Sequence, residues 1–128
     1  MKKISIKGTK LSPAVDFDPT TGKLSIKGVS IPENAALFYK PLIAWIKKYS
    51  DSPHDVTELD FRLEYFNTSS SKCFIDFLKE LEQIYNAGNE VVINWYFEEE
   101  DYDMYVTGED FQSIIKIPFN IIKVPAAE

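Results

Sequence analysis

The clearest signal in the chain is the alternation in TELDFRLEYF, residues 57–66. Leu59, Phe61, Leu63 and Tyr65 alternate with Glu58, Asp60, Arg62 and Glu64. Period two predicts a strand with one apolar face and one charged, wet face. Upstream, Ile4 and Ile6 alternate with Ser5 and Lys7, and the run Lys23 to Lys27 places Leu24 and Ile26 on one side. Asp18-Pro19-Thr20-Thr21-Gly22 is turn chemistry, so the runs around it read as a hairpin with a loop of several residues. The period then changes. Tyr39, Leu42, Ile43 and Ile46 fall at offsets 0, 3, 4 and 7, one face of a helix. Ser30 and Glu33 have capping-box spacing ahead of it, and Pro32 suits a first turn. Pro41 predicts a kink or a division near Lys40, and the run should end around Ser50 to Pro53. Phe74, Phe77, Leu78, Leu81 and Tyr85 predict a second amphipathic helix, stopped at NAG where Gly88 can adopt the left-handed C′ conformation. EVVINWYF predicts a mid-sheet strand buried on both faces. DYDMYVTGEDFQSIIK predicts a short helix, with Asp110, Phe111, Ile114 and Ile115 fitting its later part. KIPFNIIKV predicts a last strand, weakened by Pro118.

The order β-β-β-α-β-α-β-α-β predicts an α/β fold: one open mixed sheet, parallel strands joined by right-handed crossovers, and helices mainly on one face. The chain has 128 residues, 45% hydrophobic and 14% aromatic, which suits one regulatory domain over 1–128 with a core at about 4–122. The net charge of −6 argues against nucleic-acid binding. The single cysteine, Cys73, excludes an intrachain disulfide and sits in an apolar stripe, which points to packing in a reducing compartment. No apolar run approaches membrane-spanning length, and MKKISIKGTKL has no signal-peptide h-region, so the expected location is cytoplasmic, without membrane insertion.

YFNTSSSK carries four consecutive hydroxyls, Thr68, Ser69, Ser70 and Ser71, between a strand and a helix. Nucleophilic catalysis would need a base; His54 is the only histidine, in the turn-like SPHD, and no G-x-S-x-G elbow exists. The run Glu98, Glu99, Glu100, Asp101 and Asp103 has oxygen ligands but neither the spacing nor the glycine of an EF-hand, and reads as a solvated loop. A Walker loop is absent, although the helix start at residues 68–72 could hold a small anion or a nucleotide. Helix capping accounts for one hydroxyl or two, not four. Phosphoacceptance ranks level with capping on these grounds: a phosphate there would lie beside the positive end of a helix dipole.

The segments GTKLSPAVDFDPTTGKLSIKGVSIPENAALFYKPLIAWIKKY, LEYFNTSSSK and GEDF resemble the SiaC-like family of bacterial biofilm-regulating phosphoproteins, over residues 6 to 122. The resemblance implies a fold similar to the STAS domain of anti-sigma factor antagonists. It also implies a non-enzymatic partner switch without a cofactor, controlled by a phosphothreonine. A GHKL-type kinase would phosphorylate Thr68, and a PPM-type phosphatase would reverse this. The unmodified form would bind a diguanylate cyclase and promote cyclic-di-GMP synthesis. Asn67, Ser69, Ser70, Ser71 and Lys72 would then surround the phosphosite, cap the helix or shape the docking surface.

Overall fold

The computed structural model describes residues 1–126. Six strands form one sheet in sequential order: β1 Ile4–Ile6, β2 Ala14–Asp18, β3 Lys23–Ser30, β4 Val56–Phe66, β5 Glu90–Glu98 and β6 Phe119–Val124. The first two pairings are antiparallel and the last three parallel. Three helices make the parallel crossovers: α1 Ala35–Tyr49, α2 Thr68–Asn86 and α3 Tyr102–Ile114. The strand order never reverses, so three right-handed crossovers must lay all three helices on the same face. For the same reason the sheet lacks the switch-point crevice in which open α/β sheets bind ligands.

The covered face is built from rows of apolar side chains, such as Phe17, Leu24, Leu59, Ile93 and Phe119 in register across the strands. The open face carries a polar row: Ser5, Asp16, Ser25, Asp60, Asn94 and Asn120. Asn94 donates to Asp60 at 2.9 Å and Asn120 donates to Asn94 at 3.0 Å. β5 is therefore covered by helices on one face only, yet on its open face Asn94 is buried within the polar row and Val92 and Tyr96 are half-buried, so the two-faced burial expected from its composition holds in part. Its Asn94 and Tyr96 face outward, where Arg62 stacks over the Tyr96 ring at 4.5 Å.

Four further expectations need correction. Ser30 does not cap α1. It ends β3, fully buried, and Asn34 is the cap, accepting from the Leu37 N–H at 3.0 Å. Pro41 does not divide α1, which runs unbroken through it. The ring lies on the exposed side, so solvent reaches the backbone it leaves unpaired. Tyr65 does not continue the apolar face of β4. Leu63 pairs with Gly28 but Tyr65 with Val29, which leaves Glu64 as an extra residue. Gly28, at φ +113°, accommodates the shift. The alternation flips there: Tyr65 is 58% exposed, and Phe66 turns in against Phe74 at 5.2 Å and Trp95 at 5.9 Å. In α2, Ile84 rather than Tyr85 is the buried residue of the last turn. The helix stops as expected, with Gly88 at φ +100°.

Candidate phosphorylation and docking site

After the bulge, β4 ends at Phe66 and a single residue, Asn67, leads into α2. Asn67, in extended conformation, caps the helix: its side-chain oxygen accepts from the Ser70 N–H at 2.9 Å. Its own N–H donates to the Ser30 carbonyl at 3.2 Å, which ties the helix start to the end of β3. Thr68 is the first helical residue.

The four hydroxyls have different fates. Thr68 and Ser69 are exposed, Ser71 is half-buried, and Ser70 is fully buried. Ser70 Oγ donates to the Ser30 carbonyl at 2.9 Å and accepts from Ser30 Oγ at 2.8 Å. The Ser30 proton is thereby used, so at 2.6 Å it is Tyr39 Oη that donates to Ser30 Oγ. A buried relay, Tyr39 to Ser30 to Ser70 to the Ser30 carbonyl, thus locks the first turn of α2 onto α1 and β3. Burial pushes the Tyr39 phenol well above its ordinary pKa, so it stays a donor at neutral pH. Ser70 is structural and closed to any enzyme. Among the described residues, the N–H groups of Thr68 and Ser69 have no intramolecular partner and point out of the helix end.

Thr68 stands on the rim of an open groove of about 490 Å³ between α2 and α3. Phe66, Asn67, Ser71 and Ile75 form one wall with it. Thr107, Asp110, Phe111 and Ile114 form the other. α3 can lie this close because Gly108 packs on the Trp95 indole, where an added Cβ would come within 2.6 Å of the ring. Trp95 Nε1 also donates to the Met104 carbonyl at 3.0 Å, and Phe111 meets the Trp95 ring edge-on at 5.2 Å. Ile114, 54% exposed, adds an uncovered apolar side chain beside the phosphoacceptor candidate. Lys72 is exposed on the outer ridge of α2 and does not line the groove. The residues on α3 carry no local motif that marks them; GEDF is the one stretch of the resemblance that reaches this wall.

His54 precedes β4 and Thr68 follows it, so about 35 Å of strand, at roughly 3.3 Å per residue, separates them. His54 therefore cannot act as a base for any hydroxyl of the run. In the acidic loop, Asp101 caps α3 by accepting from the Met104 N–H at 3.1 Å, and Glu98, Glu99, Glu100 and Asp103 face solvent. Among the described residues no cluster of three or more His, Cys, Asp or Glu side chains could hold a metal ion. Cys73 is buried, and burial first of all raises its thiol pKa, which disfavours the reactive thiolate.

Comparison with known proteins agrees with this geometry. The description "SiaC family regulatory phosphoprotein" matches residues 6–124. The chain belongs to the SiaC family. A relative from Pseudomonas aeruginosa strain UCBPP-PA14, itself uncharacterized, is 33% identical over 121 residues, 94% of this chain and 96% of its own. SiaC of Pseudomonas aeruginosa superimposes with a TM-score of 0.88 at 32% identity, covering 97% of this chain and all of that one. The structure of that organism's diguanylate cyclase SiaD in complex with its activator SiaC matches with a TM-score of 0.89, at 32% identity, over 94% of this chain and 99% of the other. The family membership and the α/β fold expected from the sequence are thus both found. Among the described residues, no helix is long and apolar enough to cross a membrane.

Proposed function

We propose that this SiaC family member is a non-catalytic partner switch, acting as one regulatory domain over residues 1–128. Unmodified, it binds and activates a diguanylate cyclase through the surface around Thr68. A GHKL-type kinase phosphorylates Thr68 and blocks that binding, and a PPM-type phosphatase restores it. The switch operates in the cytoplasm, where the kinase finds its ATP. The observation that carries the reading is the placement of Thr68: exposed, first in its helix, on the rim of a partly apolar groove, two residues from a serine that the fold seals off. The solved complex of the related SiaC with the cyclase SiaD supports the choice of partner.

The physics favours a switch that changes docking but not folding. Phosphothreonine carries about −1.5 to −2 charges at pH 7. At a helix N-terminus this charge is stabilised, by about 0.3–1 kcal/mol at an exposed site, and the free N–H groups of Thr68 and Ser69 can meet the phosphate oxygens. No lysine or arginine lines the groove, and Asp110 faces it from α3. A dianion on the rim therefore makes the groove strongly negative and hydrated, which repels an apolar or acidic docking segment. Asn67 fixes the acceptor by capping, Ser70 by anchoring, while Ser69, Ser71 and Lys72 complete the surface. A coupling of about 1–3 kcal/mol, typical of such switches, changes partner affinity about 5- to 150-fold.

The experiment is to phosphorylate the purified chain with its cognate kinase, map the site, and titrate both forms against the cyclase. Thr68→Ala should retain binding and accept no phosphate. Loss of binding in Thr68→Ala with normal folding, or equal binding by both forms, would overturn the reading. A nucleotide or anion site at residues 68–72 is the weaker alternative, because the groove offers two N–H groups but no basic side chain.

A further inference from the structure

α2 has a second flank, away from Thr68. There it packs beside α1, and between the two helices lies a groove of about 400 Å³ whose floor is apolar: Ala36, Ile43, Ala44 and Cys73. Lys40 and Lys47 rise on its α1 rim, and Asp76 lies on the α2 side. The charge distribution here runs against the rest of the molecule. The chain as a whole carries −6, yet α1 holds three lysines and no carboxylate. Lys47 is 63% exposed and meets Glu80 only at 3.8 Å, a loose surface contact that leaves its charge available. Lys72 and Lys79 stand exposed along the ridge of α2. The helix dipole explains Lys47 and Lys48, which sit in the last turn of α1 at its negative end. It does not explain Lys40 in mid-helix, nor the small residues Ala36 and Ala44 that keep the groove open.

We propose that the groove between α1 and α2 is a second docking surface, and that its occupant is an acidic amphipathic helix of a partner protein. The apolar stripe of such a helix would lie along Ala36, Ile43, Ala44 and Cys73, and its carboxylates would face Lys40 and Lys47. A flat anionic membrane fits the geometry less well: the apolar residues line a concave floor, and the lysines stand at its rim rather than over a protruding apolar face. Nucleic acid is disfavoured because two lysines on the rim of a concave groove cannot track a backbone of regularly spaced phosphates. The inference does not depend on the Thr68 switch, because the two grooves lie on opposite flanks of α2. It can be tested on the unmodified chain.

The probe is a synthetic helix of about 15 residues, near the shortest length that holds a helix in water, with leucines along one stripe and glutamates elsewhere. A second peptide replaces every glutamate with lysine. Each is titrated into the full ¹⁵N-labelled chain. The expected result is saturable shifts confined to residues 36–47 and 72–80 for the acidic peptide. The basic peptide should give none. Raised salt should weaken binding, and the double variant Lys40→Glu/Lys47→Glu, with an unchanged melting curve, should weaken it about tenfold or more. Absence of saturable shifts, shifts centred on the Thr68 groove, or equal binding of both peptides overturns the proposal. Binding of the chain to phosphatidylglycerol vesicles, abolished by the same double variant while the acidic peptide does not bind, would assign the surface to lipid and overturn it as well.

Discussion

Ser69 and Ser70 are adjacent, chemically identical and both in the first turn of α2, yet replacing them with alanine should have opposite consequences. Ser69 is exposed, and its substitution should stay within about 0.5 kcal/mol of the parent. Ser70→Ala removes the hydroxyl that donates to the Ser30 carbonyl and accepts the Ser30 proton. The Ser30 carbonyl keeps the Asn67 N–H. Ser30 can then turn its proton towards Tyr39 Oη, but only by leaving the Tyr39 proton without an acceptor. One fully buried donor is orphaned, at a cost of about 1–3 kcal/mol. For 128 residues the unfolding entropy near the midpoint is about 0.27 kcal/mol per kelvin, so a loss of about 2 kcal/mol lowers Tm by about 7 °C. Urea and thermal melts of both variants measure this. If Ser70→Ala melts within 0.5 kcal/mol of Ser69→Ala, the relay does not hold the helix start and the division of labour among the hydroxyls is wrong.

Other consequences follow from the same geometry. Gly108→Ala drives a Cβ into a fully buried indole and should cost about 1–3 kcal/mol, with shifted resonances along the α3 wall of the Thr68 groove; an unchanged urea midpoint would contradict the packing described. Asp101→Ala should cost about 1 kcal/mol as a lost helix cap, whereas Glu99→Ala and Glu100→Ala should be near neutral, and calcium should leave all melting curves in place. Tyr39 binds its proton more tightly folded than unfolded. Stability is therefore complete below the unfolded value of 10.0 and falls as pH rises through the raised folded value. Tyr39→Phe should flatten that alkaline loss in a Tm series from neutral to alkaline pH, and an unaltered slope would count against the relay.

The periodic elements were legible in the sequence because burial on one face writes a period of two or of 3.6 directly into the residue order. β4 and α2 are of this kind, and the element order that follows from them is the one observed. What escaped depends on contacts between distant residues. A single extra residue, Glu64, leaves no compositional trace, yet it reverses Tyr65 and Phe66. Ser30 looked like a cap because a serine ahead of a proline and a glutamate usually is one. Its partners, Tyr39 and Ser70, lie 9 and 40 positions away. The candidate site was half visible: the α2 wall bears the hydroxyl run, while the α3 wall is delivered by packing on Trp95 and has no pattern of its own. Tertiary placement also divided the four hydroxyls, which a sequence presents as equivalent.

The most direct measurement compares the parent chain, homogeneously phosphorylated on Thr68, with its unmodified form in calorimetric titrations against the partner cyclase, alongside thermal melts of both. The account expects nearly identical melting curves and an affinity lower by about 5- to 150-fold in the phosphorylated form. Equal affinities, or a phosphorylated chain that loses binding only because it no longer folds, would contradict it.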